Sequence, residues 1–199
     1  MILFSQHFFL ILALFLTQST CCTWTVAAEA EHLTEQSSNK EWHVRLIVST
    51  EDGRQDRGNI LGRLRDSVQG LDSHDLPEMP PPPSPMGDRY LSIVFPHPEW
   101  KTAMPDFASD FRAVPADKDT DATWKFEIRT HTPGIPAKLS WEGPVEVLKR
   151  SQIKEASSGK VLVANCAVQN SSTITLKKEG VVLLWEYQVE KTQKSGTGN

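Results

Sequence analysis

The sequence has little that would announce a chemistry. Among its 199 residues there are three cysteines, Cys21, Cys22 and Cys166, too few for a disulfide framework. It has no Gly-x-Ser-x-Gly, no His-Glu-x-x-His and no phosphate-cradling glycine loop. The common signatures of esterases, zinc proteases and nucleotide-binding proteins are therefore missing. His43, His74, His97 and His131 are scattered, with no pair at metal-ligand spacing. Basic charge is not in excess, since 21 Lys and Arg against 25 Asp and Glu give a net charge of -4. Nucleic acid calls for a basic surface and is not an expected partner. An acidic sugar or an anionic membrane is not favoured either.

What is present begins with a leader. Residues 8–16 form an apolar block, FFLILALFL. A bilayer span needs about 20 apolar residues, so this block is short for an anchor and suits the h-region of a signal peptide. No Lys or Arg precedes it, which departs from the usual pattern. Val26-Ala27-Ala28 places small residues at the offsets of a cleavage site, so 1–28 reads as a signal peptide. Cleavage nearer Cys21 is the alternative. Gln18-Ser19-Thr20 lacks the aliphatic residue of a lipobox, which argues against lipidation of Cys21. Residues 29–40 are polar and without period, a flexible lead-in. The mature chain is expected outside the cytoplasm, secreted, periplasmic or on the cell surface, with no stable membrane span once the leader is cut.

From there the chain reads as short strands and turns. Trp42, Val44, Leu46 and Val48 alternate onto one face, as do Leu91, Ile93 and Phe95, and Trp124, Phe126 and Ile128. Ala137, Leu139 and Trp141 follow, and residues 145–148 and 160–168 read as further strands. Residues 173–176 are short, and a hairpin-like turn at Lys178-Glu179-Gly180 leads to Val181, Leu183, Trp185, Tyr187 and Val189. Cys166, in an apolar run, reads as a small buried hydrophobe. A short strand or a helical turn fits residues 107–113. Strands separated by regular turn signals, with no βαβ alternation, predict an all-β fold over 41–190. It is an antiparallel β-sandwich of immunoglobulin-like or jelly-roll type, with a barrel as runner-up. Residues 191–199 read as a disordered tail.

Residues 51–85 break this pattern and read as one long loop. Gly53, Gly58, Gly62 and Gly70 discourage a helix beyond one turn at residues 60–64. Pro80 to Pro83 and Pro85 give an extended polyproline stretch. Asp66, Asp72 and Asp75 are the residues on which calcium would converge, although their spacing is not that of an EF-hand. Pairing of these acids with Arg54, Arg57, Arg63 and Arg65, or capping of turns, explains them more simply. Beyond calcium no cofactor is expected.

The stretch also carries a resemblance. Asn59, Leu61 and Gly62, then Gly70, Asp72, Asp75 and Pro77, then a proline run, are followed by a strand ending in His97 and Trp100. Ser109, Asp110 and Arg112 come next, then Trp124, Phe126 and Ile128, then Leu139, Ser140 and Trp141. Residues 42–148 thus resemble β-sandwich modules of exported bacterial surface proteins, of the kind found beside FlgD-like immunoglobulin domains. That resemblance implies a sandwich and no catalytic residues.

The expected function is that of an exported, non-catalytic module for adhesion or assembly in the cell envelope or extracellular space. Its partner would be a protein or a glycan. A carbohydrate-binding module is the alternative, resting on the tryptophans, of which Trp100 is read as the exposed one and His97, between two prolines, as packed against it. A small hydrolase is the other, using two of Asp66, Asp72, Glu99 and Asp110 as paired carboxylates. N-terminal sequencing of the exported protein is expected to read from near Glu29; a chain that still begins at Met1 contradicts the leader.

Overall fold

The computed structural model describes residues 41–79, 90–116 and 119–189. The leader and its cleavage site, Cys21, Cys22, the lead-in, the proline run and the tail lie outside the described residues.

Among the described residues eleven strands form two sheets. One sheet has the order β10 (Ser171–Thr175), β7 (Pro136–Glu142), β1 (Trp42–Thr50), β2 (Gln55–Leu64), β5 (Ser109–Ala113). The other runs β4 (Asp106–Phe107), β3 (Leu91–Pro96), β6 (Ala122–Thr130), β11 (Val181–Tyr187), β8 (Ser151–Glu155), β9 (Val161–Val163). Neighbours are antiparallel except β2 and β5, which run parallel. The fold is an all-β sandwich, with the inward parity set by the alternation seen in the sequence. Trp42, Val44, Leu46 and Val48 of β1 are buried, as are Trp124, Phe126 and Ile128 of β6. Ala137, Leu139 and Trp141 of β7 and Val181, Leu183, Trp185 and Tyr187 of β11 complete the interior.

The expectation of a loop from residue 51 is corrected. Residues 51–54 are a hairpin turn, and β2 returns beside β1 with Val44 opposite Leu61. Asp52-Gly53 is the cause, an Asp-Gly pair that favours tight hairpins. Gly53 takes φ +86°, and the Thr50 N–H donates to the Arg54 carbonyl at 3.0 Å. The Asp52 carboxylate accepts from the Thr50 hydroxyl at 2.5 Å and from Arg54 Nε at 3.0 Å, and these bonds hold its pKa down to about 2. The helical turn at 60–64 does not form, because those residues are strand. Gly62 serves packing: a Cβ there would run into the Trp42 carbonyl oxygen. The long loop therefore begins after Leu64.

Other segments differ from their sequence expectation for local reasons. Residues 145–149 form a short helix, α1 (Val145–Lys149), started by Pro144 with the Leu148 N–H bonded to the Pro144 carbonyl at 3.0 Å. Of residues 160–168 only Val161–Val163 is strand. The chain then turns where the Asn165 side chain accepts from the Ala167 N–H at 2.9 Å. Residues 151–155, which carry too few apolar residues to stand out, form β8. The turn at 178–180 is a crossover, since β10 and β11 lie in different sheets. Cys166 is buried as expected, and burial pushes its thiol up to about 12.

One segment shapes the molecule more than its length suggests. Residues 106–113 run through both sheets: Phe107 pairs with Phe95 of β3, while Ser109 to Ala113 pair with Ile60 to Leu64 of β2. They close one side of the sandwich.

Trp185 sits at the centre of the core. It is fully buried, lies opposite Trp124 on β6, and meets Trp141 edge-on at 6.1 Å. Truncating a buried aromatic costs about 3–5 kcal/mol. Trp185→Ala is expected to lower unfolding free energy by that amount in urea titration; an unchanged midpoint contradicts the assigned parity.

Candidate functional site

The corner closed by residues 106–113 gathers most of the polar residues singled out in the sequence. Strand β3 ends at Pro96, and Pro98 starts one 3-10 turn, Pro98–Trp100. Lys101 closes that turn in the left-handed region at φ 53°. This short reversal folds Trp100 back onto His97, and the two rings stack at 3.7 Å with 3° between their planes. Phe107 meets Trp100 edge-on at 4.8 Å and His97 at 5.9 Å. The expected packing of His97 on Trp100 is thus observed. Trp100 is only partly exposed and packs against the core, with one ring face covered by the imidazole.

His97 lies between two carboxylates. Its Nδ1 is 2.7 Å from Glu99 Oε1 and its Nε2 is 3.1 Å from Asp110 Oδ2. Asp110 is only 2% exposed, and Arg112 Nε lies 3.7 Å from its other oxygen. The Asp110 backbone carbonyl accepts from Trp124 Nε1 at 3.1 Å, and the Arg112 guanidinium stands over the Trp124 ring at 4.7 Å. Burial alone would pull His97 down, but the hydrogen bonds to Asp110 and Glu99 outweigh it and hold its pKa above the ordinary histidine value. The bond to His97 lowers Glu99 in turn.

The three aspartates of the loop do not converge on one point. Asp66 pairs with His74 Nε2 at 3.2 Å. Asp72 accepts from the N–H groups of His74 at 2.7 Å and Val68 at 2.8 Å. Asp75 accepts from the N–H groups of Asp72 and Phe111, each at 3.0 Å. Burial raises the Asp75 carboxyl above its usual range in spite of these bonds, and the charges of Asp72 and Asp110 add to the effect. Among the described residues no group of three or more His, Cys, Asp or Glu has the arrangement to hold a metal ion. Asp72 and Asp75 cap turns, Asp66 pairs with His74, and Asp52 pairs with Arg54 at 2.8 Å.

These caps fasten the loop onto the corner strand. Leu76 N–H donates to Ser109 Oγ, which donates to the His74 carbonyl, both at 2.7 Å. Ala108 N–H donates to the Leu76 carbonyl at 2.7 Å and Glu78 N–H to the Asp106 carbonyl at 2.9 Å. Outward from this fastened backbone stand Val68, Leu71, Leu76 and Met79, the last two 59% and 72% exposed.

Of the four carboxylates considered for hydrolysis, Glu99 and Asp110 come together, one on each nitrogen of His97. The space where a glycosidic bond would sit is filled by the imidazole. Asp66 and Asp72 are held within the loop.

Two polar clusters escaped sequence reading. Arg63 is buried and pairs with buried Asp119, whose other oxygen accepts from the Tyr187 hydroxyl at 2.6 Å. Burial, then this bond, raises the Tyr187 phenol. Arg129 is bidentate to Asp106 at 2.5 and 3.1 Å and reaches Glu127 at 2.8 Å. Alternation could have flagged Arg63 once β2 was known as a strand, since it shares the inward parity of Leu61 and Asn59. Nothing local marks Asp119.

No match is found for the chain among models of known protein families, among curated proteins or among solved structures.

The His97 bridge generates a pH dependence. Because folding raises the His97 pKa, its contribution is complete below the unfolded value of about 6.5 and is lost as pH rises through the higher native value. Glu99, being lowered, contributes above its unfolded value and loses that contribution as pH falls through its native one. The groups that face the imidazole are Glu99 and Asp110, with Arg112 on the far side of Asp110. The melting-temperature gap between wild type and His97→Gln is therefore expected to be larger at about pH 6 than at about pH 9. A gap independent of pH contradicts the bridge.

Proposed function

We propose that the chain is an exported, non-catalytic β-sandwich module that acts by adhesion or assembly in the cell envelope or extracellular space, with a protein as its partner. The observation that carries this reading is the loop of residues 65–79. Its backbone is fastened to the corner strand by Asp75 and Ser109 and braced within itself by Asp72, while Val68, Leu71, Leu76 and Met79 face outward. Fixing backbone costs roughly 1–2 kcal/mol per residue. A loop that served only to connect β2 to β3 would have no need of such fixing. Apolar side chains held on a fixed frame are what a protein partner uses as anchors, because the ordering cost is met before binding.

The non-catalytic part rests on His97. Both of its nitrogens engage carboxylates, so neither is left to take a proton from a substrate. A protein partner fits better than a glycan, because the ring face by which Trp100 would stack on a sugar is shared with His97. No helix among the described residues is long and apolar enough to cross a membrane, so attachment to the envelope would come through contacts of this kind.

The test is retention of the purified chain on the surface of the cells that export it. Wild type is expected to be retained. Leu76→Asp with Met79→Asp is expected to reduce retention at least about tenfold, with the melting temperature kept within about 2 °C because both side chains are already in water. Equal retention of the variant, or none of wild type, contradicts the reading.

A further inference from the structure

The sandwich treats its four edges unequally. On the closed side, β4 and β5 are covered by the loop. Pro77 bridges to Phe107, the Phe111 N–H is taken by Asp75, and the Ala108 N–H is taken by the Leu76 carbonyl. On the open side, β9 is a strand of only three residues, and its pairing with β8 is interrupted at Ile153 and Lys154. Cover, shortness and irregularity are the devices by which sheets avoid unwanted pairing. Among the described residues strand β10 has none of them. It is five regular residues, Ser171-Ser172-Thr173-Ile174-Thr175, paired with β7 on one side without a register shift. It carries no charge, no proline and no bulge.

Its free side can be assigned from the alternation of a strand. Leu176 directs both backbone groups toward the segment entering β7: its N–H donates to the Ile135 carbonyl at 2.9 Å, and its carbonyl accepts from the Gly134 N–H at 2.8 Å. By the period of two, Ile174 and Ser172 face β7 as well, and the N–H and carbonyl groups of Ser171, Thr173 and Thr175 face away from it. The Thr173 and Thr175 side chains are exposed.

We infer that β10 is a homotypic edge, through which two copies of this chain pair antiparallel about a two-fold axis at Thr173 and join their sheets into one. In that register Thr173 exchanges its pair of backbone bonds with its counterpart, and Ser171 does so with Thr175 on either side. Two arguments select a second copy over a foreign strand. A self-pairing edge brings the residue on its axis against its own copy, so a charge at position 173 would meet its like, and β10 is neutral throughout. On the exposed face the facing pairs are then Thr with Thr and Ser with Thr, small hydroxyl pairs that stabilise cross-strand contacts, while Ser172 lies opposite Ile174 on the other face. The nearest charges along the chain, Lys177 and Lys178, fall beyond the paired residues and at opposite ends of the two-fold strand pair. The inference does not depend on the loop reading, since β10 lies at the opposite edge of its sheet from β5.

Sedimentation velocity of the purified full chain over a range of concentrations tests it, with hydrogen exchange followed in parallel. Wild type is expected to pass from monomer to dimer as concentration rises, with the Thr173 and Thr175 amides gaining protection over the same range. Thr173→Pro removes an outward N–H at a position where an edge strand tolerates proline, and Thr173→Lys brings like charges together. Each is expected to raise the dimer dissociation constant at least about tenfold, the equivalent of losing one or two backbone bonds. Their melting temperatures, read at a concentration where wild type is monomeric, show that the fold is kept. A chain that stays monomeric with freely exchanging β10 amides overturns the inference, and so does a dimer that survives both substitutions.

Discussion

The structure depends on how the corner strand carries a carboxylate into the sandwich. Residues 106–113 must leave one sheet and enter the other within a few residues, and Asp110 sits just past that change. A buried charge without partners would cost several kcal/mol. Here the cost is offset by His97 from the β3 exit and by Arg112 from the same strand, while the indole N–H of the nearby Trp124 takes up the Asp110 backbone carbonyl. His97 and Trp124 come from separate parts of the chain, so satisfying Asp110 also fixes where those parts lie. The stack of Trp100 on His97 then orients the imidazole, and the loop docks on a strand that is already rigid.

Legibility in the sequence followed the physics of each segment. β1, β6, β7 and β11 have one face in the core and one in water, so alternation exposes them, and Trp42, Trp124, Trp141 and Trp185 fell on the inward parity. β2 was hidden by its composition. Its glycines and arginines suggest a loop when counted, yet Gly62 is needed for contact with β1, and Arg63 points inward because Asp119 waits there, 56 positions further along the chain. A long-range ion pair leaves no periodic trace. The same holds for Asp110: its sequence neighbourhood marks it as polar, but only the sheet crossing makes it buried.

The candidate site shows the same division. Stacking of His97 on Trp100 is local, set by prolines on both sides of the histidine and a turn of three residues, and it was readable. Convergence of Asp66, Asp72 and Asp75 looked equally local but required their oxygens to be free. In a loop without regular structure the backbone N–H groups need acceptors, and aspartate is the side chain best placed to supply them. Asp72 and Asp75 answer that need. Proximity in sequence does not separate an aspartate engaged by backbone N–H groups from one open to a cation, since capping and cation binding draw on the same residues.

Rigidity on one side and an open edge on the other suggest a division of labour within the sandwich. The closed side joins the two sheets by a shared strand, so it cannot slide or accept another strand, and any recognition there must use side chains. The loop provides them, with polar groups turned inward to the corner and apolar ones outward. Among the described residues the open side has no shared strand and the outer backbone groups of its longer edge have no partner, so recognition there would use the main chain. Side-chain contacts discriminate among partners, whereas main-chain pairing is tolerant of sequence and gains its selectivity from register and neutrality. A module of the proposed kind would need both, one to choose a partner and one to repeat itself, and this topology would keep them at opposite edges of one sheet, where neither obstructs the other.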